Sequence, residues 1–462
     1  MISTDGESSA DSSSGLWRAS SCRMYCRTRA ILSSQAIPST LDSRSRLNCC
    51  WNSFGVIRSL CLDGCAGQLT PLRPRASGGT GMPRMTIEIR ELLAGDRRGL
   101  KDFLNVVDTI YRGDPHYVRP LDFDVADRLD KKKNPFFEHA EGAAWVAYKD
   151  GRPAGRITAQ IDHEHLKRYH DDAGSFGFLD TIDDAEVAQG LLAEAARWVK
   201  ARGMKRIRGP YSLSINEEVG CLIEGFDHPP MIMMTYHRPY QGELIERAGL
   251  AKLKDLYAWR YDVGDVPARA QRAHAEILAM PEVQPRCADL KQVDRDVRII
   301  MDVYNDAWSD NWGFVPMTEK ELRKLASDTK LILIPEITRL VFIDGEPAAV
   351  AMGLPNINED IKDLHGKLFP TGFAKLLWRL RVRGPQSGRL LILGIRKKYR
   401  NVRRYAGLSA FLYVEMNRAA HLLGIRDSEL GWTLEDNAAI NAGIRLMGGR
   451  VYKKYRIYEQ EL

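Results

Sequence analysis

Groups able to hold phosphate gather at one place in the chain. Leu390-Leu391-Ile392-Leu393-Gly394-Ile395 has the length and apolar content of a buried strand. It runs into Arg396-Lys397-Lys398-Tyr399-Arg400, and then Arg403-Arg404-Tyr405-Ala406-Gly407-Leu408-Ser409. A strand that enters a basic, glycine-containing turn and opens a helix puts unpaired backbone N–H groups beside guanidinium groups, which suits phosphate oxygens. Gly407 and Ser409 are small enough for a pyrophosphate to approach the backbone. A solvated basic loop before an amphipathic helix has the same composition, so this stretch carries a function only together with what surrounds it.

Proton-transfer groups form a second set. Glu435 ends a strand-like stretch, Asn216, Glu217 and Glu218 follow another, and Tyr236 and His237 lie in Thr235-Tyr236-His237-Arg238-Pro239-Tyr240. A carboxylate or imidazole beside a reacting amine can take its proton. Each also has a plainer reading, since an acid at a helix start is favoured by the dipole and a loop histidine is commonly held by the backbone. Asn311 could orient a substrate, while Trp308 and Trp312 read as apolar lining.

Several elements must position these groups. At 462 residues the chain is too long for one ordinary domain. It is 44% hydrophobic and 27% charged, with a net charge of +7, a soluble globular composition without the basic density of a nucleic-acid binder. No apolar run approaches the roughly 18 residues of a membrane span; Leu331–Ile334 and Leu390–Ile395 have strand length only.

Residues 1–82 stand apart, rich in Ser and Arg and without lysine. They hold six of the eight cysteines, Cys22, Cys26, Cys49, Cys50, Cys61 and Cys65. The pairs Cys22/Cys26 and Cys61/Cys65 have unusual spacing for zinc and no histidine near them, so no metal is expected. The segment reads as a disordered extension, or as a start assigned upstream of Met82 or Met85. With so few cysteines, the remainder reads as a reduced, cytoplasmic protein.

From Met85 the elements come in two passes. Thr86–Leu92 alternates as a strand and Asp96 caps a helix. Trp145–Tyr148 turns through Lys149-Asp150-Gly151-Arg152 into Ala154–Ile161. Val187–Arg202 is an amphipathic helix closed by Gly203, and Lys205–Gly209 a strand. The second pass has strand Glu282–Leu290, helix Val293–Trp308, and a hairpin of Leu340–Ile343 and Ala348–Leu354 around Asp344-Gly345-Glu346. Strand Arg389–Ile395, helix Leu408–Leu423, strand Asp427–Thr433, helix Asn437–Leu446 and strand Val451–Tyr458 complete it. The repeated order indicates an internal duplication, with domains at 83–262 and 282–462 and a linker at 263–281.

The second pass resembles the GNAT superfamily of N-acyltransferases. Arg404, Gly407 and the small Ser409 match its acyl-CoA signature, Arg/Gln-x-x-Gly-x-Gly/Ala. Trp432-Thr433-Leu434-Glu435-Asp436-Asn437 and Met447-Gly448-Gly449 match the strand, helix-opening Asn and closing Gly that follow it. The resemblance implies an α/β (α+β) fold of tandem GNAT-like domains, each a mixed central sheet flanked by helices. It implies that the backbone of Leu393, Gly394 and Ile395 pairs with the pantetheine arm. Arg403, Arg404, Tyr405, Ala406, Gly407 and Ser409 would hold the pyrophosphate, and Asn437 would contact the cofactor arm. Where many members carry a proton-donating tyrosine this chain has Ile444, which leaves Tyr405 or Tyr455, or departure of CoA without that help. In the first pass the equivalent turn, Asp180–Glu186, is acidic and should repel pyrophosphate.

The whole arrangement, including Tyr304–Phe314 and Gly209-Pro210-Tyr211-Ser212, looks like a bacterial family of tandem GNAT proteins that includes ceramide synthases. That resemblance implies an acyl-CoA-dependent N-acyltransferase acting on a long-chain amine, a sphingoid base. The catalytic candidates are Glu435 first, then Glu217, His237, Tyr236 and Asn311. The alternatives are a transferase using aminoacyl-tRNA, a small-amine or protein acetyltransferase, and a non-catalytic binding module. Phe373-Ala374-Lys375-Leu376-Leu377-Trp378-Arg379-Leu380-Arg381-Val382-Arg383 mixes apolar and cationic residues as interfacial helices do, and as core-packing helices with a basic edge also do. On the interfacial reading the protein is cytoplasmic and touches anionic membrane at the inner face of the inner membrane.

Overall fold

Two Asp-Gly turns set the frame. A computed structural model describes residues 86–462, so the readings of segment 1–82, with its cysteines, and of Met82 and Met85 lie outside the described residues. Strands β1 (Ile87–Glu91), β2 (Ala140–Lys149) and β3 (Arg152–Asp162) begin the first pass, and Asp150 and Gly151 both take positive φ between β2 and β3. Asp344 and Gly345 do the same between β9 (Thr338–Ile343) and β10 (Glu346–Pro355). Positive φ at both central residues gives the twist that joins right-twisted strands, and Asp-Gly is among the least strained ways to reach it.

The first pass continues with β4 (Ala173–Thr181), β5 (Arg206–Gly209), β6 (Cys221–Glu224) and β7 (Ala251–Asp262). Its helices are α1 (Arg97–Ile110), α2 (Asp122–Leu129), α3 (His163–Tyr169), α4 (Ala185–Lys200) and α5 (Gln241–Arg247). Helix α6 (Ala268–Leu278) fills most of the stretch read as a bridge. The second pass holds β8 (Val283–Cys287), α7 (Val293–Trp308), α8 (Glu319–Thr329), α9 (Gly372–Trp378), β11 (Ser387–Ile395), α10 (Leu408–Leu422), β12 (Asp427–Leu434), α11 (Ala438–Leu446) and β13 (Arg450–Glu461).

Asp96, Asp184, Thr318 and Asn437 cap α1, α4, α8 and α11 through their side chains, satisfying amides the helices leave unpaired. Strand β4 was not anticipated. It is buried along its length and lacks the alternation that marks a half-exposed strand. Its last residues include Asp180, so the acidic turn is shorter than expected and begins after Thr181. Leu331–Ile334 forms no strand; it lies in the turn after α8.

All thirteen strands of the described residues join in one mixed sheet, ordered β1-β2-β3-β4-β5-β13-β7-β12-β11-β10-β9-β8, with β6 beside β13. From either edge inward the order is the same: an edge strand, a hairpin, then a parallel pair, β4/β5 or β11/β12. The innermost strands are exchanged. β13, from the end of the chain, closes the first pass against β5, and β7, from the first pass, closes the second against β12. β7 and β13 then pair antiparallel with each other at the centre. Helix α4 buries Val187, Leu191, Ala195 and Val199 on one half of the sheet, and α10 buries Leu408, Phe411 and Leu412 on the other. Among the described residues no helix is long and apolar enough to cross a membrane.

A second-pass fragment lacks β7 and keeps an open edge on β12. Residues 282–462 made alone should show no cooperative thermal unfolding, and co-expression with residues 86–281 should restore it. A fragment that melts cooperatively by itself would contradict the exchange.

Candidate active site

The parallel pair β11/β12 is short. Its register runs from Ser387 opposite Asp427 to Leu390 opposite Leu430 and then stops. Beyond that point β11 follows β10 to Ile395, whereas β12 follows β7 through Thr433 and Leu434. The strands diverge, and alternate N–H and C=O groups of β11 face the opening. A cavity of about 160 Å³ fills it, lined by Arg389–Leu393, Leu430–Leu434, Asn437, Ile440 and Ile444, with Tyr304, Trp308, Asn311 and Trp312 on its far wall. Gly394 is required here because a Cβ would lie 2.3 Å from the Trp308 ring.

A buried ion pair stands at the fork. The Arg389 and Glu429 side chains, 3% and 0% exposed, approach to 3.0 Å. Arg389 also donates to the carbonyls of Gly431, Ile232 and Met233, and the Tyr452 hydroxyl donates to Glu429 at 2.6 Å. Arg389 therefore joins both arms of the fork to a first-pass loop.

The predicted phosphate turn leads out of β11. Gly407 opens α10 without any side-chain cap, so the first-turn amides are left without partners. Arg403 is exposed and, among the described residues, has no acidic partner. Arg404 pairs with Glu282 at 2.5 Å, and Lys397 with Asp310 at 2.6 Å. Ala406 and Ser409 are exposed and Tyr405 is half-buried against Tyr399. The open side of Gly407 faces α6: a Cβ there would meet Ile277 at 3.2 Å and Ala273 at 3.3 Å. Close helix packing thus accounts for this glycine.

The first pass closes both of its corresponding features. β4 and β5 also part early, but Pro210 and Tyr211 fill the fork; the Tyr211 amide donates to Phe176 at 2.7 Å, and a Cβ on Gly177 would lie 1.6 Å from the Tyr211 carbonyl oxygen. At the start of α4 the Asp184 carboxylate accepts from the amides of Glu186 and Val187, where α10 is uncapped.

A larger cavity, about 500 Å³, opens between the passes. Its wall is mostly apolar, from residues such as Val118, Leu121, Phe178, Ile232, Leu354 and Leu376. The two cavities share Asn216, Glu217, Met233, Met317 and Leu325. Glu217 accepts from Arg128 at 2.8 Å, and Arg128 also lies 3.4 Å from Glu218. Burial lifts the Glu217 carboxyl to about 7, with Arg128 pulling down and Glu218 pushing up. Asn216 donates to the Val315 carbonyl at 3.0 Å, which fixes this corner.

The other candidates disperse. Glu435 lines neither cavity; its oxygens accept from Lys252 Nζ at 2.8 Å and the Asp255 amide at 3.0 Å. His237 lines the larger cavity, but its Nδ1 accepts from the Leu222 amide at 3.1 Å, which places the neutral ring's proton on Nε2. Burial lowers its pKa and keeps it neutral. Tyr236 donates to the Phe226 carbonyl at 2.9 Å. Leu393 and Asn437 line the groove, Gly394 abuts Trp308, and Ile395 ends the strand. Tyr455 is fully buried with an unpartnered hydroxyl, and burial raises its pKa. The phenols on the groove wall are Tyr304 and Tyr413, which sequence reasoning did not single out; Tyr413 sits on α10 among residues that read simply as helix core. Arg128 was missed too, since nothing in its local sequence marks it.

No family model matches the chain. It is 41% identical to a bacterial ceramide synthase from Caulobacter vibrioides over 79% of this chain and 95% of that one. It is 38% identical to the protein YghO of Escherichia coli, over 79% and 94%. Among solved structures, a tandem GNAT protein from the clavulanic acid biosynthesis pathway superposes with a TM-score of 0.50 at 12% identity, covering 81% of this chain and 98% of that one, a likeness of fold.

Replacing Arg389 alone leaves Glu429 buried and unpaired. Arg389→Met should lower stability by about 3–5 kcal/mol in urea denaturation, and adding Glu429→Leu should recover part of the loss. A single variant within about 1 kcal/mol of the parent would show that the pair does not hold the fork.

Proposed function

This chain belongs to the family of the Caulobacter bacterial ceramide synthase and YghO and is a GNAT-fold N-acyltransferase, and we propose that it transfers a long-chain acyl group from acyl-CoA to the primary amine of a long-chain sphingoid base. One observation carries the reading. Glu217 sits where a strand-fork groove, of the kind that takes pantetheine by added-strand pairing, meets a large apolar cavity.

The donor lies along β11, its pantetheine beside Leu393 to Ile395 and Asn437 and its pyrophosphate at the uncapped start of α10. Arg403 and Arg404 provide the charge there, and the amides of Gly407 and Ser409 provide donors. The amine's chain occupies the apolar cavity and its nitrogen reaches Glu217. The acceptor arrives as an ammonium ion and gives one proton to the Glu217 carboxylate. The neutral nitrogen attacks the thioester carbonyl; the C–S bond breaks as the amide forms, the second nitrogen proton leaves to solvent, and CoA departs as the thiolate. Glu217 is the base in this scheme, with Arg128 holding its carboxylate, while Glu435 buttresses β12. His237, a neutral donor through Nε2, suits an oxygen of the acceptor, and Asn311 lines the donor side. The first pass, 83–262, supplies the acceptor wall and the second, 282–462, the donor groove. The same reading sets the enzyme in the cytoplasm at the inner face of the inner membrane.

The sign of the pH effect follows from the base. A carboxyl titrating about 7 is active when deprotonated, so kcat/KM should rise through that pH and level off above it. Glu217→Gln should cost about 100-fold or more and remove that limb, with acyl-CoA binding unchanged. Full activity in Glu217→Gln would remove Glu217 from the mechanism.

A further inference from the structure

Large apolar side chains are exposed on the lining of the bigger cavity and on the segment that contributes Phe373 to it. Of the thirteen exposed among the described residues, seven are Phe123, Leu331, Phe369, Phe373, Leu377, Trp378 and Val382. Three of them, Phe123, Leu331 and Phe373, also line the cavity, the first two beside the charged Asp124, Asp127, Lys324 and Asp328. Phe369 stacks on Phe373 with ring centres 6.1 Å apart. Exposure reaches 74% at Phe369, 56% at Trp378 and 67% at Val382, more than incidental surface apolarity explains when grouped in one segment.

The segment is held from below and open above. Leu376 is buried and Leu380 packs on the same cluster with Val118, Leu121, Ile361 and Leu364, which anchors α9 to the cavity wall. Arg379 bonds Asp363 and Arg383 pairs with Asp360, fixing the turn after α9. Residues 362–383 contain six Lys or Arg and the single acid Asp363. Among the described residues, Lys367 and Arg381 are exposed without an acidic partner.

We infer that Phe369–Arg383 is a membrane-docking lip: Phe369, Leu377, Trp378 and Val382 enter the interface of an anionic bilayer, Lys367 and Arg381 meet its headgroups, and the cavity mouth opens toward the lipid. Apolar residues with unpaired cations are the pairing that holds an interfacial segment on anionic lipid. A chain of the acceptor's kind passes from the bilayer past Phe373 into the cavity without crossing water. The continuity of this exposed segment with an apolar cavity, together with two cations that have no acidic partner among the described residues, makes an anionic lipid surface the occupant argued for. The inference rests on reading the cavity as the site of the acceptor's chain, but lipid binding can be read without any substrate.

The test uses the full chain in co-sedimentation with vesicles of phosphatidylglycerol and phosphatidylcholine, or of phosphatidylcholine alone. The protein should bind the anionic vesicles at least about tenfold more tightly, and the difference should shrink as salt screens it. Trp378→Asp with Val382→Asp should lower that binding about tenfold or more, and Lys367→Glu with Arg381→Glu should abolish the preference for anionic lipid. Amide formation from substrates dissolved in detergent should be unchanged in both variants. Equal binding to both vesicle types, or parental binding by the Asp variant, would overturn the docking lip even if the acyltransferase reading stands. Anionic-vesicle binding that depends on these residues would support the lip even if the sphingoid-base reading fails.

Discussion

The exchange of β7 and β13 is the constraint on which the remaining structure depends. Each fork in the sheet is closed on one side by a strand from the other pass, so neither half can complete its sheet alone. The exchange also puts fully buried Trp259, Tyr455, Ile457 and Tyr458 on the two central strands, where both passes contribute to one core. Pairings such as Tyr458 with Gly209 close very long loops, a cost that is met only when the final strand docks. It also fixes the first-pass loop of Ile232 and Met233 against Arg389, and so the apolar cavity against the groove.

Given that frame, a few substitutions divide the labour between two similar halves. Where the first pass has Tyr211 in its fork and Asp184 on its helix start, the second has an open fork and an uncapped helix beside cations. A carboxylate cap and a phosphate would compete for the same amides, so the Asp184 cap occupies on α4 the amides that α10 leaves without a side-chain cap. The first pass contributes much of the apolar wall and the Arg128–Glu217 pair. Desolvation that lifts the Glu217 carboxyl to about 7 would suit the base proposed for it near neutral pH.

Much of this was legible in the chain. Helix Val293–Trp308, the two Asp-Gly hairpins and the strand–turn–helix around Arg403–Gly407 follow from period, turn chemistry and capping, which are local. The sheet order is not local: nothing in the strand-like residues Val451–Tyr458 says which half they will close. β4 escaped because a strand buried on both faces does not alternate. Glu435 and Glu217 look alike as sequence, each an acid after a strand, and only tertiary structure separates them: Lys252 and a backbone amide hold the first away from both cavities, while Arg128 holds the second where the two cavities meet. Gly407 matched the expected motif, yet the contact its bare α-carbon makes is with α6, a helix whose position the sequence did not reveal.

The most direct measurement incubates the protein with acyl-CoAs of short and long chain and with sphinganine, and follows amide product and free CoA by mass spectrometry. The account predicts one CoA released per amide, with long-chain donors strongly preferred. Turnover of acyl-CoA on small water-soluble amines, with sphinganine left untouched, would contradict the assignment of the apolar cavity to a long-chain acceptor.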